Sequence, residues 1–217
     1  MQHDRKQQQT LVRSSLNGCL RGWNAFWHFY CRIVRLAGWS RQAWNREYDL
    51  GRWCCEARSP HTANRVVELC KGGRLIEFGC GTGSLLSLLP PGTYSEYIGV
   101  DISDVAIQSA RQKAVELGLT MCRFEQGDMS SWPGSPFATL ILIEECLYYL
   151  KPVQIKSFLM KCCSSLAPDG AILVIVHSAR KHKKTLEVCQ IVCEVINRRV
   201  IGSRVFLTLG PLAGKYL

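Results

Sequence analysis

The sequence lacks several patterns that would assign it to a protein class at once. It contains twelve cysteines but no C-x-x-C pair, and it has no secretory cleavage pattern. The sequence therefore indicates no zinc motif, no redox motif and no extracellular disulfide framework. It has no internal repeat, and its 47% hydrophobic residues exclude a disordered chain. We expect an ordered cytoplasmic protein without a metal site, in which most cysteines are small buried hydrophobic residues.

Acidic residues are scarce near the N-terminus. The chain carries 27 Lys and Arg against 17 Asp and Glu, and eight of the basic residues but only Asp4 among the acids lie in residues 1–46. Apolar residues recur there at intervals of four and three from Leu16 to Ala37, which indicates a basic amphipathic helix. Charged residues interrupt every window long enough to span a membrane.

Three interpretations of this N-terminal segment stay open. It packs on the rest of the chain or on the second copy of a homodimer, it contacts an anionic membrane surface through residues 16–37, or it is a targeting presequence. Nucleic acid is disfavoured as a partner, because the aromatic residues follow helical periodicity as a buried stripe would. A second basic run, residues 180–184, is either a solvated helix start or a contact for an anionic substrate group.

The most informative stretch begins at Leu75, where an apolar run ends in Glu77 and three glycines at alternate positions, Gly79, Gly81 and Gly83. Glycine has no Cβ, so the backbone can turn sharply and approach a ligand closely. A dinucleotide-binding loop reads G-x-G-x-x-G, and Ser84 stands where its third glycine would be. The stretch predicts a strand that turns beneath a nucleoside-containing cofactor.

Two further apolar segments end in acids. Residues 97–100 are followed by Asp101, and the segment that starts at Cys122 is followed by Asp128 and Met129. Three acid-tipped strands in this order resemble the class I S-adenosylmethionine-dependent methyltransferases, and the resemblance covers roughly residues 44–209.

The resemblance implies S-adenosylmethionine as the cofactor, S-adenosylhomocysteine as its product, and a role for each matching residue. The methionine part would be held by Glu77 and the glycine loop, and the ribose hydroxyls by Asp101. Ile102 would form an apolar wall for adenine, Asp128 would bond its amino group, and Met129 would offer its backbone amide. The full set of predicted cofactor contacts is Glu77, Gly79, Cys80, Gly81, Gly83, Asp101, Ile102, Asp128, Met129 and Glu144.

Alternating strand and helix patterns predict an α/β fold with a Rossmann-like, doubly wound sheet. Strands are predicted near residues 74–78, 97–100, 122–125, 138–144 and 171–177, and helices near 84–89, 105–117 and 153–166, with Ser103 as an N-cap. A basic helix and two strands, near 193–200 and 205–209, would close a seven-stranded, mostly parallel sheet; its terminal antiparallel strand is implied by the resemblance. We divide the chain into an extension, residues 1–45, and a methyltransferase domain, residues 46–217.

The fourth strand ends in two adjacent carboxylates, Glu144 and Glu145, which are costly at the end of a buried strand unless they function or reach water. Methyltransferases that resemble this chain often have an Asn-Glu or Ser-Glu pair here, so Glu145 matches and Glu144 departs. We predict Glu145 as the group that orients or deprotonates the methyl acceptor, with Glu144 second. Tyr148 would donate a hydrogen bond, and His177 is a further candidate base. The alternatives are a capping role for Glu144 and core packing for Tyr148.

A string of aromatic residues, Trp44, Tyr48 and Trp53, precedes the glycine loop. In similar methyltransferases this segment folds over the cofactor, so Tyr48 and Trp53 would close on its methionine end or shape the acceptor pocket; ordinary packing is the alternative. The predicted function is methyl transfer to an oxygen or nitrogen of a small molecule. A cofactor-binding module without turnover, acting through partner or membrane contact, is the alternative, and the glycine spacing disfavours a nicotinamide-dependent oxidoreductase.

Overall fold

The computed structural model describes residues 40–53, 59–135 and 137–212. The chain divides into two compact units, residues 1–43 and 44–217, and all contacts described below lie within the second. The predicted amphipathic helix of residues 16–37 lies outside the described residues, and the domain boundary at residues 45 and 46 stays a prediction. No helix in the described ranges has the length and apolar character needed to cross a membrane.

A seven-stranded sheet forms the centre of this unit, with the strand order β3-β2-β1-β4-β5-β7-β6. Neighbouring strands among β1 to β5 pair in parallel, whereas β7 is antiparallel to both β5 and β6. The predicted doubly wound sheet with a terminal antiparallel strand is confirmed. The strands are β1 (Arg74–Phe78), β2 (Glu96–Asp101), β3 (Cys122–Gln126), β4 (Ala138–Glu144), β5 (Leu166–Val176), β6 (Glu194–Ile201) and β7 (Arg204–Gly210).

Five α-helices lie in the described ranges: α1 (Ser40–Asp49), α2 (Pro60–Cys70), α3 (Asp104–Glu116), α4 (Pro152–Ser164) and α5 (Lys183–Val192). Short 3₁₀ helices follow β1 (Ser84–Leu88), β3 (Met129–Ser131) and β4 (Leu147–Tyr149). Ser103 caps α3 as predicted, since its hydroxyl accepts the Ala106 amide at 3.2 Å. The sequence pattern missed α2, although Ser59 before Pro60 is a recognised start signal, and the Ser59 hydroxyl accepts the His61 amide at 3.2 Å.

The helices cover the sheet on both faces because side chains alternate along each strand. Ile141 and Ile143 of β4 face a core that includes Phe158 of α4 and Cys189 of α5. Leu140 and Leu142 face the opposite core, with residues of α2 and α3. Each buried strand thus contributes to both cores, as expected of a parallel sheet covered on both sides.

The start of β5 corrects a prediction. The helix expected over residues 153–166 ends at Ser164, and β5 begins at Leu166 instead of Ala171. The strand starts early because the Ala138 amide donates to the Ser165 carbonyl at 2.8 Å and Ala138 pairs with Leu166. Gly170 permits this approach, since a Cβ there would lie 2.6 Å from the carbonyl oxygen of Ala138.

Strand β6 forms one edge of the sheet and pairs with β7 alone among the described strands. Most of its side chains are exposed, including the apolar Val195, Ile196 and Val200. Arg198 and Arg199 lie in its middle and are exposed as well. Arg199 reaches Glu68 of α2 at 3.6 Å, so one of the two guanidinium groups pairs with a carboxylate.

Candidate cofactor and acceptor site

The glycine loop turns directly beneath the end of β2. The amides of Gly79 and Cys80 both donate to the Val100 carbonyl, at 2.8 and 3.2 Å. Gly79, Gly81 and Gly83 adopt positive φ values of 69°, 55° and 71°, a region that favours glycine. The loop backbone is therefore held against the end of β2.

Tyr48 of α1 lies over this loop. A Cβ at Gly81 would lie 3.1 Å from the Tyr48 hydroxyl oxygen, a tight contact, and the positive φ of Gly81 favours glycine independently. The side chain of Cys80 is buried, and its thiol packs where a Cβ at Gly99 would meet it at 3.0 Å. Cys80 therefore presents its backbone to the site.

Asp101, the last residue of β2, connects the loop to the start of α3. Its Oδ2 accepts the Gly81 amide at 3.0 Å, and its Oδ1 accepts the Ser103 amide at 2.9 Å. Each carboxylate oxygen has two lone pairs, so one hydrogen bond from the protein does not use up the acceptor capacity of either oxygen. Gly81 and Asp101, which the sequence motif relates by their spacing, are therefore in direct contact through this hydrogen bond.

Glu77 lies beneath the loop and is fully buried. The Tyr97 hydroxyl donates to its Oε2 at 2.6 Å across the neighbouring strands β1 and β2. This hydrogen bond fixes one carboxylate oxygen of Glu77 at the end of β1.

The segment after β3 contributes the third acid. Asp128 is exposed and caps the following 3₁₀ helix, since its Oδ1 accepts the Ser130 amide at 2.8 Å. Met129 begins that helix and packs against the core beside α4. The Ile102 carbonyl accepts the side-chain amide of Gln126 at 3.1 Å, which joins the ends of β2 and β3.

Glu144 and Glu145 have different surroundings although they are adjacent. Glu144 ends β4 on the face covered by α2, where the Thr62 hydroxyl donates to its Oε1 at 3.0 Å. The guanidinium of Arg204 on β7 approaches the same oxygen at 3.4 Å. This buried carboxylate therefore joins α2, β4 and β7, and the arrangement favours a structural role for Glu144.

Glu145 leaves the strand with a backbone φ of 56°, a conformation that costs energy for a residue with a Cβ. Its Oε2 accepts the Tyr148 hydroxyl at 3.0 Å. Its Oε1 is buried and has no hydrogen-bond partner among the described residues. Burial raises the pKa of this carboxyl to about 7, and the nearby Glu144 also raises it. The hydrogen bond from Tyr148, the charge of Arg204 and the nearby backbone amide of His177 lower it.

Aromatic rings form a continuous row above the ends of β4 and β5, which we call the aromatic row: Trp53, Trp44, Tyr149, Tyr148 and His182. Successive ring centroids in this order are 5.6, 5.5, 4.8 and 3.9 Å apart. The final pair is stacked, with an angle of 17° between the ring planes. The row connects the segment before the glycine loop to the start of α5.

His177, the other predicted base, follows β5 and is exposed. Its ring nitrogens lie 3.2 and 3.4 Å from the Ser203 hydroxyl, which closes the β6–β7 hairpin. Only its backbone amide acts on Glu145. This placement favours a structural role for the imidazole.

Two residues of the site were not predicted from the sequence. Asn45 of α1 accepts the Ser103 hydroxyl at 2.7 Å and the Asp104 amide at 3.0 Å with its Oδ1, and it donates to the Asp104 carboxylate at 3.1 Å. It thereby fixes α1 beside the end of β2. His182 is the second, and no local pattern distinguished it from the lysines on either side.

The described cysteines are all thiols, and all but Cys122 are buried. In the same part of the chain, no three His, Cys, Asp or Glu side chains are arranged to hold a metal ion. All predicted cofactor residues except Glu144 instead lie at or just after the carboxyl ends of β1, β2 and β3, and Glu145 and the aromatic row lie at the end of the neighbouring strand β4. Ligands of open α/β sheets bind along this edge.

The comparisons with known proteins agree with this geometry. Residues 69–206, more than half of the chain, match a family described as a methyltransferase domain. A carboxy-S-adenosyl-L-methionine synthase of Nitratiruptor sp. is 28% identical over 124 residues, which cover 56% of this chain and 51% of that protein. A 2-heptyl-1-hydroxyquinolin-4(1H)-one methyltransferase of Mycobacteroides abscessus is 26% identical, with 57% and 54% covered. The chain spans about half the length of these curated relatives.

A solved structure shares the fold. The N-methyltransferase NodS of Bradyrhizobium japonicum, in complex with S-adenosyl-L-homocysteine, superimposes with a TM-score of 0.61 at 15% identity and covers 77% of this chain and 98% of that one. The sheet order and the family match lead to one conclusion: the chain belongs to the class I S-adenosylmethionine-dependent methyltransferase family, whose cofactor is S-adenosylmethionine.

Proposed function

We propose that this protein transfers a methyl group from S-adenosylmethionine to an oxygen or nitrogen of a small-molecule acceptor. The surroundings of Glu145 carry the proposal: a left-handed backbone, a buried Oε1 without a partner in the described ranges, and a tyrosine hydroxyl on Oε2. A strained residue with an unsatisfied buried oxygen is expected where a ligand completes the hydrogen bonding. The acceptor group would be that ligand.

The residues at the ends of β1 to β3 fit the methyl donor. Glycine at three positions lets the loop turn sharply so that its backbone can approach a ligand. Glu77 is buried beneath the loop, and the Asp101 carboxylate at the end of β2 can accept ribose hydroxyls besides the Gly81 and Ser103 amides. We assign the methionine part to Glu77, Gly79, Cys80, Gly81 and Gly83. The adenosine part is assigned to Asp101, Ile102, Asp128 and Met129. Tyr48, over the loop, would cover the methionine end.

The bound cofactor supplies a methyl group on a positively charged sulfur, and the protein must align the acceptor with it and remove a proton where the acceptor carries one. Glu145 would accept that proton on Oε1, while the Tyr148 hydroxyl holds Oε2. The pKa of about 7 suits this role, because the carboxylate is then both substantially ionised near neutral pH and basic enough to take a proton. We assign Glu144, which Thr62 and Arg204 engage, to positioning this strand end.

The test is methyl transfer from labelled S-adenosylmethionine to pools of small metabolites, with Glu145→Gln as the variant. We expect Glu145→Gln to lower turnover by roughly 10²–10⁴-fold, the usual contribution of a general base, while cofactor affinity in calorimetry stays unchanged. Wild-type activity should rise with pH through about 7 as Glu145 ionises. Glu116→Gln, which changes an exposed carboxylate on α3, is the matched control.

Two outcomes would contradict the proposal. Full turnover by Glu145→Gln would remove Glu145 from the chemistry. Cofactor binding without transfer to any pool would instead support the alternative of a cofactor-binding module that acts through a partner. The name of the Mycobacteroides abscessus relative, a quinolone methyltransferase, supports the choice of small aromatic and hydroxylated compounds for the first pools.

A further inference from the structure

The loop between β5 and α5 is fixed by its own backbone. Ser178 has a φ of 129°, and its carbonyl accepts the His182 amide at 3.1 Å. The His182 carbonyl in turn accepts the Leu186 amide at 3.0 Å, which is the first turn of α5. The position of His182 is therefore set by β5 and α5 together.

From this position the imidazole of His182 stacks on the Tyr148 ring. The centroids are 3.9 Å apart and the planes differ by 17°, whereas Tyr148 and Tyr149 meet at a tilt of 53°. A parallel stack at this distance restricts rotation of the Tyr148 ring, since tilting it would drive its edge into the imidazole. The phenolic O–H bond lies near the plane of the ring, and a hydrogen bond weakens as its donor angle bends, so the orientation of the ring sets where the hydroxyl can donate.

The Tyr148 hydroxyl points at Oε2 of Glu145, at 3.0 Å. Burial raises the pKa of Tyr148 well above its ordinary value, so the hydroxyl keeps its proton and acts as a donor. With Oε2 engaged in this way, Oε1 is the oxygen left for a ligand.

We propose that His182 is a positioning residue: its stack on Tyr148 holds the tyrosine hydroxyl on Glu145 Oε2 and thereby directs Oε1 toward the methyl acceptor. This inference rests on the proposed function for its consequence in turnover. The positioning itself concerns only contacts within the protein.

The positioning can be measured without an acceptor, by following the ¹³C signals of labelled glutamate carboxyl groups against pH. The Tyr148 hydrogen bond lowers the pKa of Glu145, so its loss should raise that pKa by roughly half a unit to one unit. We expect this rise in Tyr148→Phe and in His182→Ala. His182→Phe should keep the wild-type titration, because phenylalanine can stack in place of the imidazole.

The control variants separate stacking from charge. Glu144, Arg204, Tyr148 and the His177 amide act on Glu145 from the surrounding elements, and only the Tyr148 contact changes in these variants. A rise in His182→Phe equal to that in His182→Ala would show that imidazole charge is the cause and would overturn the proposal. Lys184→Ala, an exposed change on the same helix, should leave the titration unchanged.

A double variant completes the design. In the double variant His182→Ala, Tyr148→Phe, the pKa of Glu145 should equal that in Tyr148→Phe alone. Each change acts through the same hydrogen bond, from Tyr148 to Glu145, so the second change has nothing further to remove. A further rise in the double variant, or no rise in His182→Ala, would contradict the positioning role. If the titrations follow expectation while Glu145→Gln transfers methyl groups at the wild-type rate, the proposed function fails and the positioning stands.

Discussion

Asp101 uses both carboxylate oxygens within the protein, one on the glycine loop and one on the start of α3. The same group is the proposed partner of the ribose hydroxyls. A change at this residue therefore removes a ligand contact and loosens the loop that forms the floor of the site. Both effects weaken cofactor binding.

We expect Asp101→Ala to weaken cofactor binding by at least about 10-fold, since hydrogen bonds to a charged group contribute about 1.5–3 kcal/mol. Isothermal titration calorimetry with S-adenosylhomocysteine measures the effect. Asp169→Ala, an exposed change in β5, is the control. An unchanged affinity in Asp101→Ala would refute the assignment of Asp101 to the cofactor.

Glu145 predicts a pH dependence of stability. Its pKa is about 7 in the folded protein, so between the glutamate pKa of the unfolded chain, about 4.3, and pH 7 the folded state binds more protons. Stability contributed by this group is therefore lost as pH rises through that interval. Glu145→Gln removes the dependence, because the amide does not titrate.

Glu145→Gln should accordingly unfold at a higher temperature than wild type at about pH 8 and near the wild-type temperature at about pH 5. Thermal unfolding by circular dichroism at the two pH values gives the comparison, with Glu116→Gln as a control that should match wild type at both. Equal unfolding temperatures of Glu145→Gln and wild type at the higher pH would show that burial of the charged Glu145 carboxylate does not destabilise the folded protein.

Helix α1 is attached to the cofactor edge of the sheet through Asn45 and Tyr48. Asn45 supplies three hydrogen bonds to Ser103 and Asp104, and Tyr48 reaches over Gly81. An element outside the sheet, held by these polar contacts and by the packing of Trp44 in the aromatic row, can separate at lower free energy than a strand in the centre of the sheet. Removal of the Asn45 amide group should therefore affect the covering segment more than the core.

We expect Asn45→Ala to weaken S-adenosylhomocysteine binding several-fold while reducing the free energy of unfolding by only about 1 kcal/mol. Calorimetry and urea unfolding give the two quantities. Arg198→Ala is the control, because β6 is remote from the glycine loop in the sheet order. It should leave the affinity for S-adenosylhomocysteine unchanged. A loss of stability without any loss of affinity would contradict a role for α1 in covering the cofactor.

The sequence predicted the strands that end in acids because apolar runs and the polar residues after them are local signals. Glu77, Asp101 and Asp128 could be placed at one edge once a parallel sheet was assumed. The different surroundings of Glu144 and Glu145 could not be predicted from the sequence. They arise from the positive φ of Glu145 and from Thr62 and Arg204, which are distant in sequence.

The stack of His182 on Tyr148 could not be predicted from the sequence either. The two residues are separated by all of α4 and β5, and their meeting depends on where the loop after β5 places the start of α5. The early start of β5 was missed for a related reason, because Pro168 and Gly170 suggest a turn in isolation. Pairing of Leu166 with Ala138 overrides that local preference.

For the molecule as a whole, the family assignment predicts a ligand effect on thermal stability. S-adenosylhomocysteine at about one hundred times its Kd should stabilise the folded state by about 2.7 kcal/mol, or roughly 5–10 °C in Tm for a domain of this size. Differential scanning calorimetry measures the shift. A reduced nicotinamide dinucleotide at the same concentration should leave Tm unchanged, and a shift with that compound alone would contradict the cofactor.

The arginines in the middle of β6 bear on how copies of this protein behave beside one another. A sheet edge that exposes Val195, Ile196 and Val200 presents backbone donors and acceptors together with apolar side chains, which is the combination that recruits further strands. In a two-fold contact centred on the middle of β6, Arg198 would lie close to Arg198 of the second copy, whereas Arg199 is paired with Glu68. Repulsion between the two Arg198 guanidinium groups would oppose growth of the sheet from one molecule into the next, so the exposed edge carries its own protection against aggregation.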